Sequence, residues 1–585
     1  MQPAPRWKAE NGKIYSSQTM AVNYFIRHSA KKLGISLLIV ILVNIAAGFL
    51  YHRFDLTEEK RYTLTPSTRQ LLKNLDQRIE MEVYLEGKDL PAGIRVLRNE
   101  TRELLQEFRN LSNGNITYRF VDINGIKDAK QREAFQEELV KKGLRPTNLE
   151  VKTSSGFTER LIFPGAVMKV NNREVTIPLL ENQFSVGAQG SLNNSVSFLE
   201  YKIANSIQKI TRPTPPKVAF LQGHGELGIE PLQGILEALS SQNFLLDKVE
   251  LDKDPLLKAN IDVLVIAKPT QALQEGEKFL IDQYIMQGGK TVWLLDNTIA
   301  DLDSFKLAPN IVAVPRDINL DDMMFRYGLR LGHNLVLDLY CNQIPIIESI
   351  GGNPQPKLFP WVFYPMAIPQ NNHPIVKNMD PVALKFPGAL DTLVNPVKKT
   401  VLLTSSEYAR IQKTPFPIYL EGAKQKPNPY YFNQKNIPMA VLLEGEFPSL
   451  YKNQFTADLQ QLLNAQQLQF KPKSVPNKMV VVADGDVASN ELDANGVPLA
   501  LGYDKYSRKL FANKDFVLNS IEYMIDENNL IAARNREIKM RLLDKAKVLE
   551  QKGWWQAITL GIPLGFTGIF GIFYNRRRKA KYGKA

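Results

Sequence analysis

Residues 218–226, VAFLQGHGE, begin the part of the chain that decides its fold. Val218–Gln222 is a nearly continuous apolar run that predicts a strand, and it ends at a glycine-rich turn. A helix is predicted next, followed by a strand, a helix and a strand, at 231–242, Ile261–Ala267, 275–287 and Thr291–Leu295. Near-continuous apolar strands that alternate with helices indicate a parallel sheet covered by helices on both faces.

The same pattern extends over residues 212–530, which we predict to be one α/β domain. Further strands are expected at Asn334–Leu337, Thr400–Thr404, Ala440–Leu443 and Met479–Val482. This run of strand–helix units resembles the glutamine-amidotransferase-like, flavodoxin-type fold. The stretch 345–396 holds ten of the 35 prolines. Because proline removes a backbone donor, we expect a loop packed on the sheet there, in preference to a partner-docking patch.

Residues 52–211 predict a smaller domain. Thr65-Pro66 is typical of a helix start, and the order strand–helix–strand–helix–hairpin follows, at Ile79–Leu85, 95–110, Ile116–Ile123, 128–142 and the pair Gly165–Val170 and Glu174–Leu179. A helix at 191–210 is expected to close the domain. The order resembles a thioredoxin-like domain. It lacks the CxxC pair of such folds, because Cys341 is the only cysteine, and this excludes an oxidoreductase role.

An apolar run of membrane-spanning length lies near each end of the chain. Leu33–Tyr51 and Gly553–Tyr574 hold no charged residue, and a helix needs roughly 20 apolar residues to cross a bilayer. We therefore predict transmembrane helices at 33–51 and 553–574. For the first we favour an uncleaved anchor over a signal peptide, because the run exceeds an ordinary signal core. Residues 531–552 predict an amphipathic helix that leads into the second span.

The basic residues are concentrated beside the two spans. Residues 1–32 carry a net charge of +5 and residues 575–585 one of +6, out of +13 for the whole chain. Since basic flanks tend to stay cytoplasmic, we predict two cytoplasmic ends and a periplasmic segment, 52–552, at a bacterial inner membrane. The remainder of the chain is nearly neutral, which excludes the clustered basic surface of a nucleic-acid-binding protein.

Two polar turns that follow predicted strands are candidate ligand sites. His224 and Glu226 follow the first strand, and Asp484 and Asp486 follow Met479–Val482, where open α/β sheets place their ligands. A histidine and a carboxylate could perform acid–base work or bind a metal, but no nucleophile elbow accompanies them, and we favour a structural turn. The aspartate pair could bind a divalent cation, but helix capping is the preferred interpretation.

No catalytic, cofactor or metal motif is complete in the sequence. Gly289-Lys290-Thr291 resembles the end of a phosphate-binding loop, but its predicted order is helix–turn–strand, whereas a P-loop needs strand–loop–helix. Gly288-Gly289 is better explained as a helix end. HExxH, paired CxxC and triad spacings are absent from the sequence. We therefore predict a protein without catalytic residues, cofactor or metal.

Both predicted spans carry residues that suit packing against other helices. In the second span, small residues recur on one helical face, at Ala557, Gly561, Gly565 and Gly568. In the first span, Asn44 and Gly48 share a face. Small residues let a partner helix approach closely, and an intramembrane amide usually finds a partner. We therefore predict that these faces contact a membrane partner.

Five stretches, in this order and with this topology, carry a family resemblance. They are DLTEEKRYTL at 55–64, FLQGHGE at 220–226, HPI at 373–375, VVVADGDVASN at 480–490 and RNREIKMRLLD at 534–544. Together they resemble the GldG family, the gliding-motility-associated ABC transporter auxiliary or substrate-binding components of Bacteroidota, over nearly the whole chain. The resemblance implies an inner-membrane protein that works with a separate multi-spanning permease and a separate ATPase. It also implies a link to gliding and type IX secretion, and it supplies no catalytic residues.

The leading functional hypothesis is a non-catalytic accessory subunit of an ABC transporter, whose periplasmic domains bind a substrate, an envelope component or another part of the machine. Two alternatives stay open. One is a membrane-tethered periplasmic hydrolase that uses His224 and Glu226. The other is a passive tether between the membrane and the envelope.

Overall fold

The structure is a computed structural model, which describes residues 31–45, 63–87, 90–153, 156–253, 260–350, 353–370, 373–465, 469–535 and 545–582. The chain divides into two units, residues 1–63 and residues 64–585. In the first unit, residues 31–45 are helical (α1). This helix covers the beginning of the predicted span 33–51, and the remainder of that span lies outside the described residues.

The second unit begins with a four-stranded mixed sheet and its helices, here called the first domain (residues 64–211). Its elements are α2 (Pro66–Lys73), β1 (Ile79–Val83), α3 (Ala92–Leu111), β2 (Ile116–Phe120), α4 (Ala129–Lys141), β3 (Thr147–Thr153), β4 (Gly156–Ile162), β5 (Gly165–Val170), β6 (Arg173–Pro178) and α5 (Gly187–Thr211). The sheet order is β2-β1-β5-β6. Strands β1 and β2 are parallel, and the other pairs are antiparallel.

Local sequence signals account for most elements of the first domain. Thr65 caps α2 and accepts the backbone N–H of Thr68 at 3.4 Å, with Pro66 at the first helical position, which confirms the predicted helix start. Asn171, in the turn between β5 and β6, has a φ of 53°, a conformation that asparagine tolerates. The hairpin of β3 and β4 was not predicted, and it pairs only with itself.

The second domain (residues 217–525) is built on one large sheet. Its elements are β7 (Lys217–Gln222), α6 (Ile229–Ser241), β8 (Leu245–Glu250), β9 (Val263–Ala267), α7 (Glu275–Met286), β10 (Lys290–Leu294), β11 (Thr298–Ile299), β12 (Asn310–Pro315), α8 (Asp321–Tyr327), β13 (Leu329–Leu331), β14 (Asn334–Asp338), β15 (Cys341–Ile350), β16 (Asn353–Pro369), β17 (Val382–Ala383), β18 (Leu390–Thr392), β19 (Lys398–Thr404), β20 (Ala409–Lys413), β21 (Phe416–Tyr419), β22 (Pro438–Gly445), α9 (Ala457–Ala465), β23 (Asn477–Val482), β24 (Tyr503–Asp504), β25 (Lys509–Leu510) and α10 (Asn513–Ile525). The main path of the sheet runs β15-β16-β19-β22-β23-β10-β9-β7-β8.

The prediction of a parallel sheet holds for one half of this path and is wrong for the other. Strands β23, β10, β9, β7 and β8 are parallel neighbours. From β15 to β23 every pair is antiparallel. A parallel connection needs a crossover, usually a helix, and the chain between β19 and β22 forms only short strands and 3-10 turns. The predicted strand Asn334–Leu337 lies in β14, outside the large sheet, where it pairs with β20.

Alternate residues of the parallel strands face two separate hydrophobic cores. Val218 and Phe220 of β7 face the core that α6 and α10 cover. Ala219 and Leu221 of the same strand face the core that α7 and α8 cover. Burial on both faces explains why the inner strands of this half are mostly apolar, whereas β8 at the edge is mostly exposed.

The expectation of a loop within 345–396 is wrong, because the long hairpin of β15 and β16 occupies much of that stretch. Pro354, Pro356 and Pro360 lie an even number of residues apart on β16. Their nitrogens therefore face one edge of the strand, because backbone groups alternate in direction along it. Proline is tolerated where the missing N–H points away from the partner strand, so this spacing is compatible with pairing to β15.

The chain after α10 continues as a 3-10 helix, Leu530–Asn535, and α11 (Lys545–Tyr582). The predicted amphipathic helix at 531–552 is therefore wrong at its beginning. There the Asp526 carboxylate accepts the backbone N–H groups of Leu530 and Ile531 at 3.1 and 2.7 Å, and it holds a tighter turn. Among the described residues, one helix is long and apolar enough to cross a membrane, Glu550–Ala580 within α11.

Candidate functional site

The carboxyl ends of the parallel strands bring polar side chains to one edge of the large sheet. His224 follows β7, Lys268 follows β9, Asp296 follows β10 and Asp484 follows β23. Open α/β sheets place their ligands at this edge. We call the set the strand-end cluster, together with the residues that these four contact.

His224 lies between two carboxylates, and its side chain is only 8% exposed. Its Nδ1 is 3.3 Å from Glu226 Oε1, and its Nε2 is 3.0 Å from Glu277 Oε2. Glu277 lies in the first turn of α7, where the same oxygen accepts the backbone N–H of Gln274 at 2.7 Å. The imidazole therefore joins the turn after β7 to the start of α7.

The backbone of this turn packs closely on the chain that follows β9. The His224 carbonyl accepts the N–H groups of Thr270 and Gln271 at 2.8 and 2.9 Å. Gly225 has a φ of 73°, and a Cβ placed there would overlap the Thr270 side chain. Glycine is therefore needed at this position both for its conformation and for the close approach. This supports the interpretation of a structural turn.

The electrostatics of His224 limit its chemistry. The hydrogen bond to Glu226, together with the contact to Glu277, raises the pKa of His224 to about 9, although burial opposes the shift. At neutral pH the ring is an imidazolium, and both of its N–H groups point at carboxylates. A general base needs a free nitrogen lone pair within reach of its substrate, and this arrangement offers none.

Asp484 and Asp486 belong to a second ion network at the same edge. Asp484 caps the 3-10 helix Gly485–Ala488 by accepting the N–H of Asp486 at 2.7 Å, and it accepts the N–H of Lys385 at 2.6 Å. Lys268 Nζ lies 2.5 Å from Asp486 Oδ2 and 3.4 Å from Asp296 Oδ2. The capping role predicted for this turn is thus confirmed.

Burial and mutual repulsion shift the pKa values of these acids. Burial, with added repulsion from Asp296 and Asp486, raises the pKa of Asp484 well above its usual range. Burial and the charge of Asp486 raise the pKa of Asp296 to about 6. Burial alone would lower the pKa of Lys268, but attraction to Asp486 and Asp296 outweighs it and raises that pKa. The Lys268 ammonium thus compensates the carboxylates from within the fold.

The network does not leave its carboxylate oxygens free to bind a metal ion. The Lys268 ammonium already contacts Asp486 and Asp296, the two carboxylates that could offer oxygens. Across the described ranges, no group of three or more His, Cys, Asp or Glu side chains has the arrangement to hold a metal ion.

The structure places the four predicted site residues on one edge but in two separate networks. No hydrogen bond or ion pair between described residues joins the His224 network to the Asp484 network. Sequence reasoning missed Lys268, Asp296 and Glu277. Lys268 and Asp296 could have been found, because each follows an apolar strand closely, just as His224 and Asp484 do.

A phosphate-binding role for Gly289-Lys290-Thr291 finds no support in its surroundings. The stretch follows α7 and enters β10, so its order is helix–turn–strand. Gly288, with a φ of 103°, donates its N–H to the Ile285 carbonyl at 3.0 Å. This confirms Gly288 as the residue that ends the helix.

The predicted membrane-partner residues are open to their surroundings where the structure describes them. Ala557, Gly561, Gly565 and Gly568 all lie in α11, and an added Cβ would meet no atom within 4 Å at any of the three glycines. Asn44 donates its amide to the Val40 carbonyl of its own helix at 3.1 Å. Gly48 lies outside the described residues.

Comparisons with known proteins give a family but no ligand. A family model described as an ABC-type uncharacterized transport system matches residues 215–520, and a domain of unknown function matches residues 58–169. An uncharacterized protein of Borreliella burgdorferi is 21% identical over 446 residues, which cover 75% of this chain and 82% of that protein. Among solved structures, the mmIFT52 N-terminal domain aligns with 53% of this chain and 97% of its own, at 11% identity and a TM-score of 0.30. Because the first match spans more than half of the 585 residues, the chain belongs to the ABC-type uncharacterized transport system family, whose members are auxiliary components of ABC transporters.

Proposed function

We propose that this protein is a non-catalytic accessory subunit of an ABC transporter complex in the bacterial inner membrane. The observation that carries the proposal is the family match over 215–520, followed by a membrane-length helix, Glu550–Ala580. The chain supplies no ATPase motif. A separate ATPase and a separate multi-spanning permease would therefore be its partners. Through its resemblance to the gliding-motility components, we connect the complex to gliding and to type IX secretion.

The proposed topology has two spans, at 33–51 and 553–574, with both termini cytoplasmic and residues 52–552 periplasmic. Its support is the charge pattern, since the flanking segments 1–32 and 575–585 carry nearly all of the net positive charge. The residues between them would then form the part of the subunit that reaches its ligand or partner outside the cytoplasm.

We also propose a fold relationship for each domain. The first domain would be thioredoxin-like, which the order β2-β1-β5-β6 with one parallel and two antiparallel pairings supports. The second would be a variant of the amidotransferase-like fold, in which five parallel strands are kept and antiparallel strands extend the sheet. Neither would use the redox or amidotransferase chemistry of those folds.

The strand-end cluster supports a structural role over a catalytic one. The hydrolase alternative would need His224 as a base and Glu226 as its orienting group, but Glu277 contacts the other nitrogen of the ring. The tether alternative differs from the accessory role in its partners. An accessory subunit requires specific membrane partners, whereas a passive tether does not.

Affinity purification of the tagged full chain in mild detergent tests the proposal. We expect a multi-spanning permease and an ATPase to be recovered with it and to stay bound to it during gel filtration. Recovery of the intact protein only as a free monomer, under conditions that preserve other inner-membrane complexes of the same cells, would contradict an accessory role.

A further inference from the structure

A cavity of about 220 Å³ lies between the first and second domains. Helix α5 contributes Phe198 and Tyr201 to its lining, and the segment that includes α10 contributes Phe511 and Lys514. Arg534, from the 3-10 helix after α10, also lines it. No member of the strand-end cluster contributes to this cavity, so it is distinct from the site described above.

Four cationic side chains line the cavity, and three of them lack a close anionic partner. Lys202 is paired with Glu181 at 2.5 Å. Lys514 has only a long contact of 3.8 Å to Asp515. Arg145 and Arg534 form no ion pair with any described residue. Four carboxylates also line the cavity, Glu181, Asp380, Asp515 and Glu522, so the charges of its wall balance in number.

Arg534 gives the strongest indication of an anion site among these residues. It is 6% exposed, and its Nε has no hydrogen-bond partner within the described structure. Its guanidinium lies over the rings of Phe198 and Tyr201, at 4.7 and 5.5 Å from their centroids. One terminal nitrogen is 3.5 Å from the Lys377 carbonyl. A buried donor without an acceptor is costly, and an anion in the cavity would satisfy it.

Three of the four acidic residues of the cavity already have close partners, and Glu181 has its partner in Lys202. Asp380 accepts the N–H groups of Phe184 and Ser185 at 2.9 and 3.1 Å. Glu522 pairs with Lys209 and accepts the Tyr201 hydroxyl at 2.6 Å. Glu181 and Glu522 are close enough to attract Arg534 electrostatically, but neither accepts a hydrogen bond from its Nε.

The pKa of Lys514 is lowered chiefly by burial. The charges of Arg145 and Lys202 lower it further, whereas those of Asp515 and Glu181 raise it. An anion bound beside Lys514 would favour its charged form.

We propose that the cavity between the two domains binds a small organic oxyanion, a carboxylate or a phosphate ester, held by Arg534 and Lys514. Guanidinium and ammonium groups both favour such oxygens, and the neighbouring aromatic rings would contact a short apolar part of the ligand. The volume is below the roughly 300–1,000 Å³ of pockets for drug-sized ligands, so the ligand has few carbon atoms. The inference rests on the proposed accessory function, since it names the class of molecule that the subunit would recognise.

Arg534 belongs to the last described segment before α11. A ligand that binds this arginine would therefore contact the chain shortly before the membrane helix begins.

Calorimetric titration of the purified full chain in detergent tests the proposal. The probes are succinate and inorganic phosphate, with uncharged succinamide as the neutral control, all at one ionic strength because screening weakens charge interactions. Three variants are compared: Lys514→Gln, Arg534→Gln and the surface control Lys306→Gln, whose side chain is 75% exposed and pairs only with Asp303. Lys514 is partly exposed, so its variant is expected to fold.

We expect saturable binding of succinate, phosphate or both, and none of succinamide. Lys514→Gln should weaken binding about tenfold or more, the loss expected for one charge-assisted hydrogen bond, whereas Lys306→Gln should leave it unchanged. Binding of only one probe identifies a carboxylate or a phosphate ligand. If Arg534→Gln does not fold, Lys514→Gln decides the outcome.

Two results would overturn the inference: absence of saturable binding for both anions, or equal affinity in the Lys514→Gln and Lys306→Gln variants. The assay uses the isolated chain and needs no permease. A negative result here would leave recovery of the transporter partners as an independent test of the proposed function.

Discussion

At the scale of single residues, His224 shows how a side chain that suggests catalysis can serve the fold. Both of its ring nitrogens face carboxylates, one from its own turn and one from α7. Removing the cation from such a buried group leaves uncompensated negative charge, which is generally more costly than the net value of the pair. The same reasoning applies to Lys268 among its aspartates.

The raised pKa of His224 gives a prediction about stability and pH. Its folded pKa of about 9 lies above the unfolded value of 6.5, so its contribution is fully present below pH 6.5 and is lost as the pH rises through 9. We expect His224→Gln to be less stable than the wild type by about 2 kcal/mol at pH 6.5. The gap should narrow toward pH 10, as measured by denaturant unfolding of the full chain in detergent.

The matched control for this experiment is His373→Gln. Burial lowers the pKa of His373 to about 4, so this histidine is neutral throughout the range from pH 6.5 to 10. Because only the unfolded chain binds a proton at His373 near pH 6.5, its difference from the wild type should change by no more than about 0.4 kcal/mol over this range. A constant gap for His224→Gln across the same range would contradict the buried ion triad.

At the scale of elements, α11 and β16 differ in how well their residue composition indicates the contacts that they make. The glycines of α11 lie on an open helix face, because no described residue comes within 4 Å of a Cβ added at Gly561, Gly565 or Gly568. Pro354, Pro356 and Pro360 of β16 look incompatible with a strand but are spaced so that pairing on one edge survives. Composition alone therefore misleads in β16. In α11, the small residues have no contact with another described part of the chain that would explain them.

The α11 face leads to a prediction about assembly. Gly565→Leu should leave the thermal midpoint of the isolated chain unchanged, because a Cβ added at this position meets no atom within 4 Å. It should reduce recovery of the permease severalfold, because bulk on this face prevents close helix approach. The measurement is quantitative affinity purification from mild detergent.

Thr559→Leu is the matched control, since it adds apolar bulk on the opposite side of the helix at about 100° per residue. It should leave permease recovery intact. Equal recovery with both variants would favour a passive tether over a specific docking face.

At the scale of the whole molecule, the large sheet decides where groups meet. Its parallel half gathers His224, Lys268, Asp296 and Asp484 at one edge. In its antiparallel half, neighbouring strands end at opposite edges, so the described strand ends there do not gather a comparable set of polar side chains. The contact between the two domains then creates the charged cavity around Arg534.

The proposed topology predicts the accessibility of single cysteines. In a Cys341→Ser background, Lys306→Cys should react with a membrane-impermeant thiol reagent on intact cells, because the site is exposed and periplasmic. Lys584→Cys should react only after permeabilisation. The native Cys341 must be removed for clarity, although burial raises its pKa to about 12 and makes it a poor nucleophile. Labelling of Lys584→Cys but not of Lys306→Cys on intact cells would indicate the opposite topology.

Much of the candidate site could be foreseen, but not how its parts are joined. The turns at His224 and Asp484 follow apolar strands, and that local pattern was enough to place both at the strand ends. The partner Glu277 could not be predicted, because it lies on a different element and contacts His224 only once α7 is packed. The cavity was equally hidden, since its walls come from α5, α10 and the segment that carries Arg534.

The sequence by itself determined the membrane-length helix near the C-terminus, the apolar strands and, apart from the hairpin of β3 and β4, the order of elements in the first domain. These features follow from local periodicity and burial, which neighbouring residues express directly. Only the tertiary structure decided the direction of half the sheet strands, the hairpin in the proline-rich stretch and the pairing of charges at the strand ends. Burial on both faces makes a strand apolar whichever way it runs, and ion pairs between distant elements depend on the path of the chain.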